Sequence, residues 1–196
     1  MRLTIKMAPA APNDKALVTP EQLGLHIHLS AQEAAGADQS GDGLHADTGQ
    51  DTLTKEIPGR VLLYADGACS GNPGVGGWGA VLKFADGSQH QLSGGHPDTT
   101  NNRMELLGVI NALQYLSYPH KVDVCTDSQY VVKTMTEGWQ RKKNQDLWRV
   151  MDELAAYHNL TFHWVRGHSG NVFNELCDVM AKDEIRRLCR SSRALA

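Results

Sequence analysis

Four acidic residues stand out by type and setting. Asp66 follows an apolar run in YADG, Asp127 follows another in CTDS, Glu105 lies in TTNNRMELLGVINAL, and Asp178 lies in NELCDVMA. Asp-Gly and Asp-Ser are common turn formers, so either aspartate taken singly reads as a turn residue. Both are expected at the C-terminal ends of strands, where the loops of an α/β sheet open a crevice. Glu105 precedes Val109, Leu113 and Leu116 at spacings that put it on the apolar side of its helix. A capping box, with Asn102 as N-cap and Glu105 three residues on, is the competing explanation. Asp178 falls on the side of Ala181 and Ile185, and a surface pair with Lys182 competes there.

An inward-facing carboxylate is expensive unless it is paired or metal-bound. Four that converge repel one another unless divalent cations neutralise them. Oxygen donors with no Cys or His among them select Mg²⁺, with Mn²⁺ as a substitute, over zinc. Two such ions roughly 3.5–4 Å apart are the usual machinery of in-line phosphoryl displacement. His168, in the Gly-flanked loop WVRGHSGN, suits proton transfer to a leaving group, although a lone loop histidine is as readily just a loop residue.

Gly74, Gly76 and Gly79 match the dinucleotide fingerprint letter for letter. That fingerprint needs a helix after it. Here GWGAVLKF continues as a strand, so a nicotinamide-dependent enzyme is disfavoured and the glycines read as a tight turn between strands.

The elements that would carry these residues follow from periodicity. RVLLYADG, GWGAVLKFADG and SQHQLSGG read as strands, the last two joined by the hairpin dipeptide Asp86-Gly87. NNRMELLGVINALQYL, SQYVVKTMTEGW, NQDLWRVMDELAAYH and NELCDVMAKDEIRRLCR have helical spacing, while VDVCTD and LTFHWVRG are strand-like. The expectation is an α/β fold: a five-stranded mixed sheet, three antiparallel strands then two parallel, with helices on both faces.

Composition divides the chain. Residues 1–57 hold no Trp, Tyr, Phe or Cys, and residues 1–58 carry four basic against eight acidic residues. Such a segment buries too little apolar surface to offset its ordering entropy, so 1–57 is expected to be a disordered acidic extension. One island inside it stays open: Thr19-Pro20-Glu21-Gln22 looks like a helix start, whereas Leu23, Leu25, Ile27 and Leu29 alternate as in a strand. Residues 58–190 form the expected folded domain, and 191–196 a flexible tail. Net charge is −3 overall, with the cluster Arg141-Lys142-Lys143 in the folded part, so global charge decides nothing about a nucleic-acid partner. No apolar run approaches the roughly 18 residues of a membrane span. The cysteines, Cys69, Cys125, Cys177 and Cys189, fit no zinc spacing and read as reduced thiols of a cytoplasmic protein.

Together these motifs resemble the type 1 ribonuclease H family over about residues 60–190. YADGACSGNPGVGGWGAVL looks like its first hairpin, TTNNRMELLGVINAL its first helix, CTDSQYV its fourth strand and following turn, and WVRGHSGNVFNELCDVMA its last strand, histidine loop and final helix. The resemblance implies an endonuclease that hydrolyses the RNA strand of an RNA/DNA hybrid, leaving 3′-hydroxyl and 5′-phosphate ends, and acting as a monomer. It implies that Asp66, Glu105, Asp127 and Asp178 bind two Mg²⁺ ions and that His168 is the catalytic loop histidine. Asn72, Asn101, Asn102 and Gln129 match positions that contact the RNA strand, and the turn through Gly67, Ala68 and Cys69 resembles backbone that meets ribose 2′-hydroxyls. Thr100 matches the hydroxyl of a DNA-phosphate pocket, and Trp139 resembles an aromatic of the DNA channel. Such contacts tell a hybrid from other duplexes because only one strand shows 2′-hydroxyls.

Three departures stand out. GWQRKKNQDLW leaves no room for the basic helical protrusion of many members, Asp98 stands where some carry a basic residue, and the N-terminal segment lacks the Cys, Trp and Tyr-Gly features of a hybrid-binding module. A catalytically dead hybrid binder is the rival from another class, and the full set of carboxylates with His168 argues against it. A resolvase- or integrase-like nuclease is the other, and TTNNRMEL with GNPGVGGWG argues against that.

Overall fold

The computed structural model describes the backbone of residues 26–31 and residues 59–194. In chain order the elements are β1 (His26–Ala31), β2 (Arg60–Gly71), β3 (Gly74–Lys83), β4 (Gln89–Thr99), α1 (Asn101–Tyr115), β5 (Lys121–Thr126), α2 (Gln129–Thr136), α3 (Gln145–Tyr157), β6 (Asn159–Trp164) and α4 (Val172–Ala194). The strands form a single sheet in the order β1-β4-β3-β2-β5-β6. Pairing is antiparallel from β1 across to β2 and parallel from β2 through β5 to β6.

The five expected strands are β2 to β6, with the expected directions. The sixth, β1, extends the sheet beyond β4 in an unbroken register from His26 opposite Gly95 to Ala31 opposite His90. Within the N-terminal extension, then, disorder is corrected for residues 26–31, and the second half of the open island is a strand. The helix-start reading of Thr19–Gln22 lies outside the described residues. At the other end α4 continues through Ala194, so residues 191–194, read as tail, are helical.

Alternation along the central strands creates two cores. Val61, Leu63 and Ala65 of β2, with Trp78, Ala80 and Leu82 of β3, face the layer made by α1 and α3. Tyr64, Val81 and Cys125 face the other way, against Cys177, Phe173, Leu176 and Met180 of α4. Helices therefore cover both faces, because every other residue on a buried strand needs an apolar partner. Arg60 and His163 converge on buried Asp123, at 2.8 Å each, and tie β2, β5 and β6 together. Gly74–Lys83 is a strand throughout, so no helix opens after the glycines and the dinucleotide fingerprint fails its structural test. No helix among the described residues is long and apolar enough to cross a membrane.

Candidate active site

β2 and β5 pair in parallel register from Arg60 opposite Lys121 to Tyr64 opposite Cys125, and then part. Asp66 and Asp127 each lie two residues beyond that last pair, so they flank the opening where the strands diverge. Asp127 is at a strand end as expected. Asp66 is not: β2 runs on to Gly71, held by β3. Its position is set by the end of one ladder, not the end of the strand. Asp66 is 9% exposed, and its Oδ1 accepts from the Gly67 N–H at 2.7 Å.

Glu105 arrives from the opposite helix layer. The N-cap of α1 is Thr100, not Asn102, and its side chain makes no capping bond, so the capping-box explanation fails. Glu105 instead accepts from Asn101 Nδ2 at 3.0 Å and from Ser128 Oγ at 2.6 Å. Ser128 is itself the N-cap of α2, accepting from the Val131 N–H. One hydroxyl thus starts a helix and steers a carboxylate.

Asp178 is contributed by α4, whose start is capped by Asn171 Oδ1 accepting from the Asn174 N–H at 3.1 Å. Its carboxylate meets Lys182 Nζ at 2.6 Å, the surface pair weighed from the sequence. One turn earlier on α4, buried Asn174 donates from Nδ2 to Asp127 Oδ2 at 3.2 Å, while its Oδ1 has no partner. The loop between β6 and α4 passes directly over Asp127: a Cβ on Gly167 would lie 2.4 Å from Asp127 Oδ2. His168 follows in that loop, exposed and with a left-handed φ of 51°.

Electrostatics show that the carboxylates act as a group. Asp66 is raised to about 7, first by burial and then by Asp127, with smaller pushes from Asp178 and Glu105. Glu105 is also raised to about 7, mainly by burial and in part by Asp127, against the lowering effect of its Ser128 and Asn101 hydrogen bonds. Burial pushes the neighbouring Cys177 thiol well up, and Asp66 adds to this. Among the described residues no three acidic, His or Cys side chains are set to ring an ion together. Lys182, Asn174, Ser128 and Asn101 occupy the oxygens with donors of their own. The donor set still fits a hard divalent cation. It is all oxygen, and burial together with the neighbouring Asp127 carboxylate holds Asp66 and Glu105 up at about 7, where a cation would relieve both effects.

The other expected residues divide into two groups. Asn101 touches Glu105, and its backbone N–H points to Asn72 Oδ1 at 3.4 Å, linking the β2–β3 turn to the start of α1. Cys69 Sγ reaches the Thr99 carbonyl at 3.5 Å, Thr100 is half-buried beside it, and Gly67 lies under α1. Asn102 and Gln129 are exposed at the N-terminal ends of α1 and α2. Trp139 stands apart, beyond the far end of α2, 46% exposed with Lys133 Nζ 5.1 Å from its ring centroid. Sequence reasoning missed Ser128 and Asn174. The signal for Asn174 was its place four residues before Asp178, on the same helix face.

The family described as RNase H matches residues 58–186. A curated ribonuclease H from Anaplasma marginale is 50% identical over 141 residues, covering 65% of this chain and 92% of that protein. Among solved structures, the N-terminal RNase H domain of a Mycobacterium tuberculosis protein superposes with a TM-score of 0.60 at 30% identity, covering 68% of this chain and 98% of that one. LC11-RNase H1, solved in complex with an RNA/DNA hybrid, gives a TM-score of 0.56 at 26% identity over 66% and 99% of the two chains. The chain therefore belongs to the type 1 ribonuclease H family.

Proposed function

We propose that this enzyme hydrolyses the RNA strand of RNA/DNA hybrids at the site between β2 and β5, leaving 3′-hydroxyl and 5′-phosphate ends. The observation that carries this reading is the convergence of Asp66, Glu105, Asp127 and Asp178 from β2, α1, the turn after β5 and α4, with Asp66 and Glu105 both raised to about 7 by burial and by repulsion from Asp127. Solved LC11-RNase H1 with its bound hybrid supports the substrate class.

Asp66, Glu105, Asp127 and Asp178 would hold two Mg²⁺ ions, or Mn²⁺ in their place, which supply charge neutralisation and a nucleophilic water for phosphodiester hydrolysis. The chain does the rest. Ser128 and Asn101 aim Glu105, and Asn174 aims Asp127. His168, on its exposed turn, passes a proton at the leaving 3′-oxygen. The backbone through Gly67 and Cys69 lies against ribose 2′-hydroxyls, while Asn72, Asn101, Asn102 and Gln129 contact the RNA strand. Thr100 takes a phosphate of the DNA strand, and Trp139 lines the DNA side. The missing basic protrusion makes this a weakly gripping member. All four thiols are free, which fits a monomer working in the cytoplasm.

The test is incubation of labelled RNA/DNA hybrid with and without Mg²⁺, beside duplex DNA. Cutting confined to the RNA strand and dependent on the ion is expected. Asp127→Asn should lower the rate by orders of magnitude with the fold retained. Equal cutting of duplex DNA overturns the proposal.

A further inference from the structure

Trp164 is the last residue of β6, on the free edge of the sheet, and it is 50% exposed. A half-wet indole adds little to the core, and an edge strand needs no tryptophan for its ladder. Its Nε1–H donates to the backbone carbonyl of Asp127 at 3.0 Å. That carbonyl is the first past the β5–β6 register, which ends at Thr126 opposite Trp164. On the other side of the same peptide bond, the Ser128 N–H donates to Thr126 Oγ1 at 3.2 Å.

A peptide unit is planar, so holding its oxygen and its nitrogen fixes the whole plane. The two side chains that leave this plane are Asp127, directed at the opening beside Asp66, and Ser128, bonded to Glu105. We propose that Trp164 is a positioning residue for the reaction: by holding the Asp127–Ser128 peptide plane it sets the Asp127 and Glu105 carboxylates relative to each other, and so sets their affinity for Mg²⁺. This rests on the reading of those carboxylates as metal ligands.

The conservative variant Trp164→Phe keeps the ring and removes the N–H. Mg²⁺ binding to the substrate-free protein, followed by titration calorimetry, is expected to weaken several-fold. The melting temperature of the metal-free protein should stay unchanged, and kcat on hybrid should fall about tenfold with little change in KM, as displaced reacting groups produce. Thr126→Val removes the hydroxyl at the other end of the plane and should weaken Mg²⁺ in the same way. Because both act on one plane, their effects in the double variant should not add. Wild-type Mg²⁺ affinity in Trp164→Phe overturns the proposal, as do effects that add. Should Trp164→Phe fail to fold, wild-type affinity in Thr126→Val overturns it. If the unaltered protein binds no Mg²⁺ while still cutting hybrid, the ligand reading fails instead.

Discussion

A Cβ on Gly67 would lie 2.3 Å from the backbone nitrogen of Glu105. The bare Cα of β2 is what lets the first turn of α1 cross the strand closely enough to bring Glu105 beside Asp66. Any side chain here meets backbone, not a flexible tip, so the helix itself must move. Gly67→Ala should destabilise by about 1–3 kcal/mol, the usual range for overpacking. It should also slow hybrid cleavage by roughly 10²-fold, the scale of a 1 Å misplacement. Chemical denaturation and single-turnover kinetics would measure the two effects. Unaltered turnover would mean that the close approach is not what places Glu105.

The pH dependence of the metal-free protein follows from the same crowding. Asp66 and Glu105 rise to about 7 from 3.8 and 4.5, so the fold favours their protonated forms. Their stabilising contribution is complete below the ordinary carboxylate range and is lost as pH rises through about 7. His158 works in the opposite sense. Burial lowers it below 6.5, so the fold favours the neutral ring, and that contribution is lost as pH falls through the lowered value. Calorimetric scans in chelator should show stability falling from mildly acid to alkaline pH, with an acid limb below it. Asp66→Asn should flatten the alkaline side, and Mg²⁺ should restore stability there. An unchanged alkaline limb in Asp66→Asn would remove the basis of this account.

His168 is exposed and its ring bonds to none of the carboxylates, so its role should separate from theirs. His168→Ala should slow turnover by about 10²-fold, within the usual range for proton transfer help. Mg²⁺ affinity should be unchanged. A collapse of that affinity in calorimetry would make the residue a ligand.

Substrate grip should be modest. In the segment between α2 and α3, Arg141 is engaged with Asp152 at 2.5 Å and lies over the Trp148 ring, leaving Lys142 and Lys143 for phosphates. Each phosphate neutralised adds about 0.9 to the log–log salt slope of binding. That slope should be shallower than for a relative with a full basic protrusion, and a steep one would show that other cations do the gripping.

Removing residues 1–57 takes away a net acidic segment and also β1, which is paired along six residues of β4. Cleavage of hybrid should survive, because the family match spans residues 58–186, which this truncation leaves intact. The melting temperature should drop by several degrees, whereas removal of residues 1–25 alone should leave it unchanged. Loss of hybrid binding in the longer truncation would make the extension part of the substrate surface.

Much of this site was legible because its residues sit in runs with strong periodicity. Glu105 faced inward by helical spacing alone, and Asp127 closed a short apolar strand. Asp66 was placed at a strand end because YADG looks like a turn. That β2 continues past it depends on ten residues of pairing with β3, a non-local fact. The N-cap of α1 shifted from Asn102 to Thr100 because Asn101 is recruited into the helix, where its amide holds Glu105. Ser128 and Trp164 gave no signal of their own. Each acts on a residue far along the chain, and only the folded register brings the two together. The strand at 26–31 had its alternation in plain view, but weak composition on either side argued against order.

The four carboxylates are carried by β2, α1, the turn after β5, and α4, drawn from both faces of the sheet and from nearly the whole length of the folded part. No segment shorter than residues 66–178 holds the set. A nascent chain whose last helix is still in the ribosome lacks both Asp178 and the amide of Asn174, and on the proposed reading it should not cleave hybrid. In refolding, such long-range assembly comes late. Cleavage should therefore return after helix content does, and it reports completed docking of α4 more stringently than any spectroscopic signal of secondary structure.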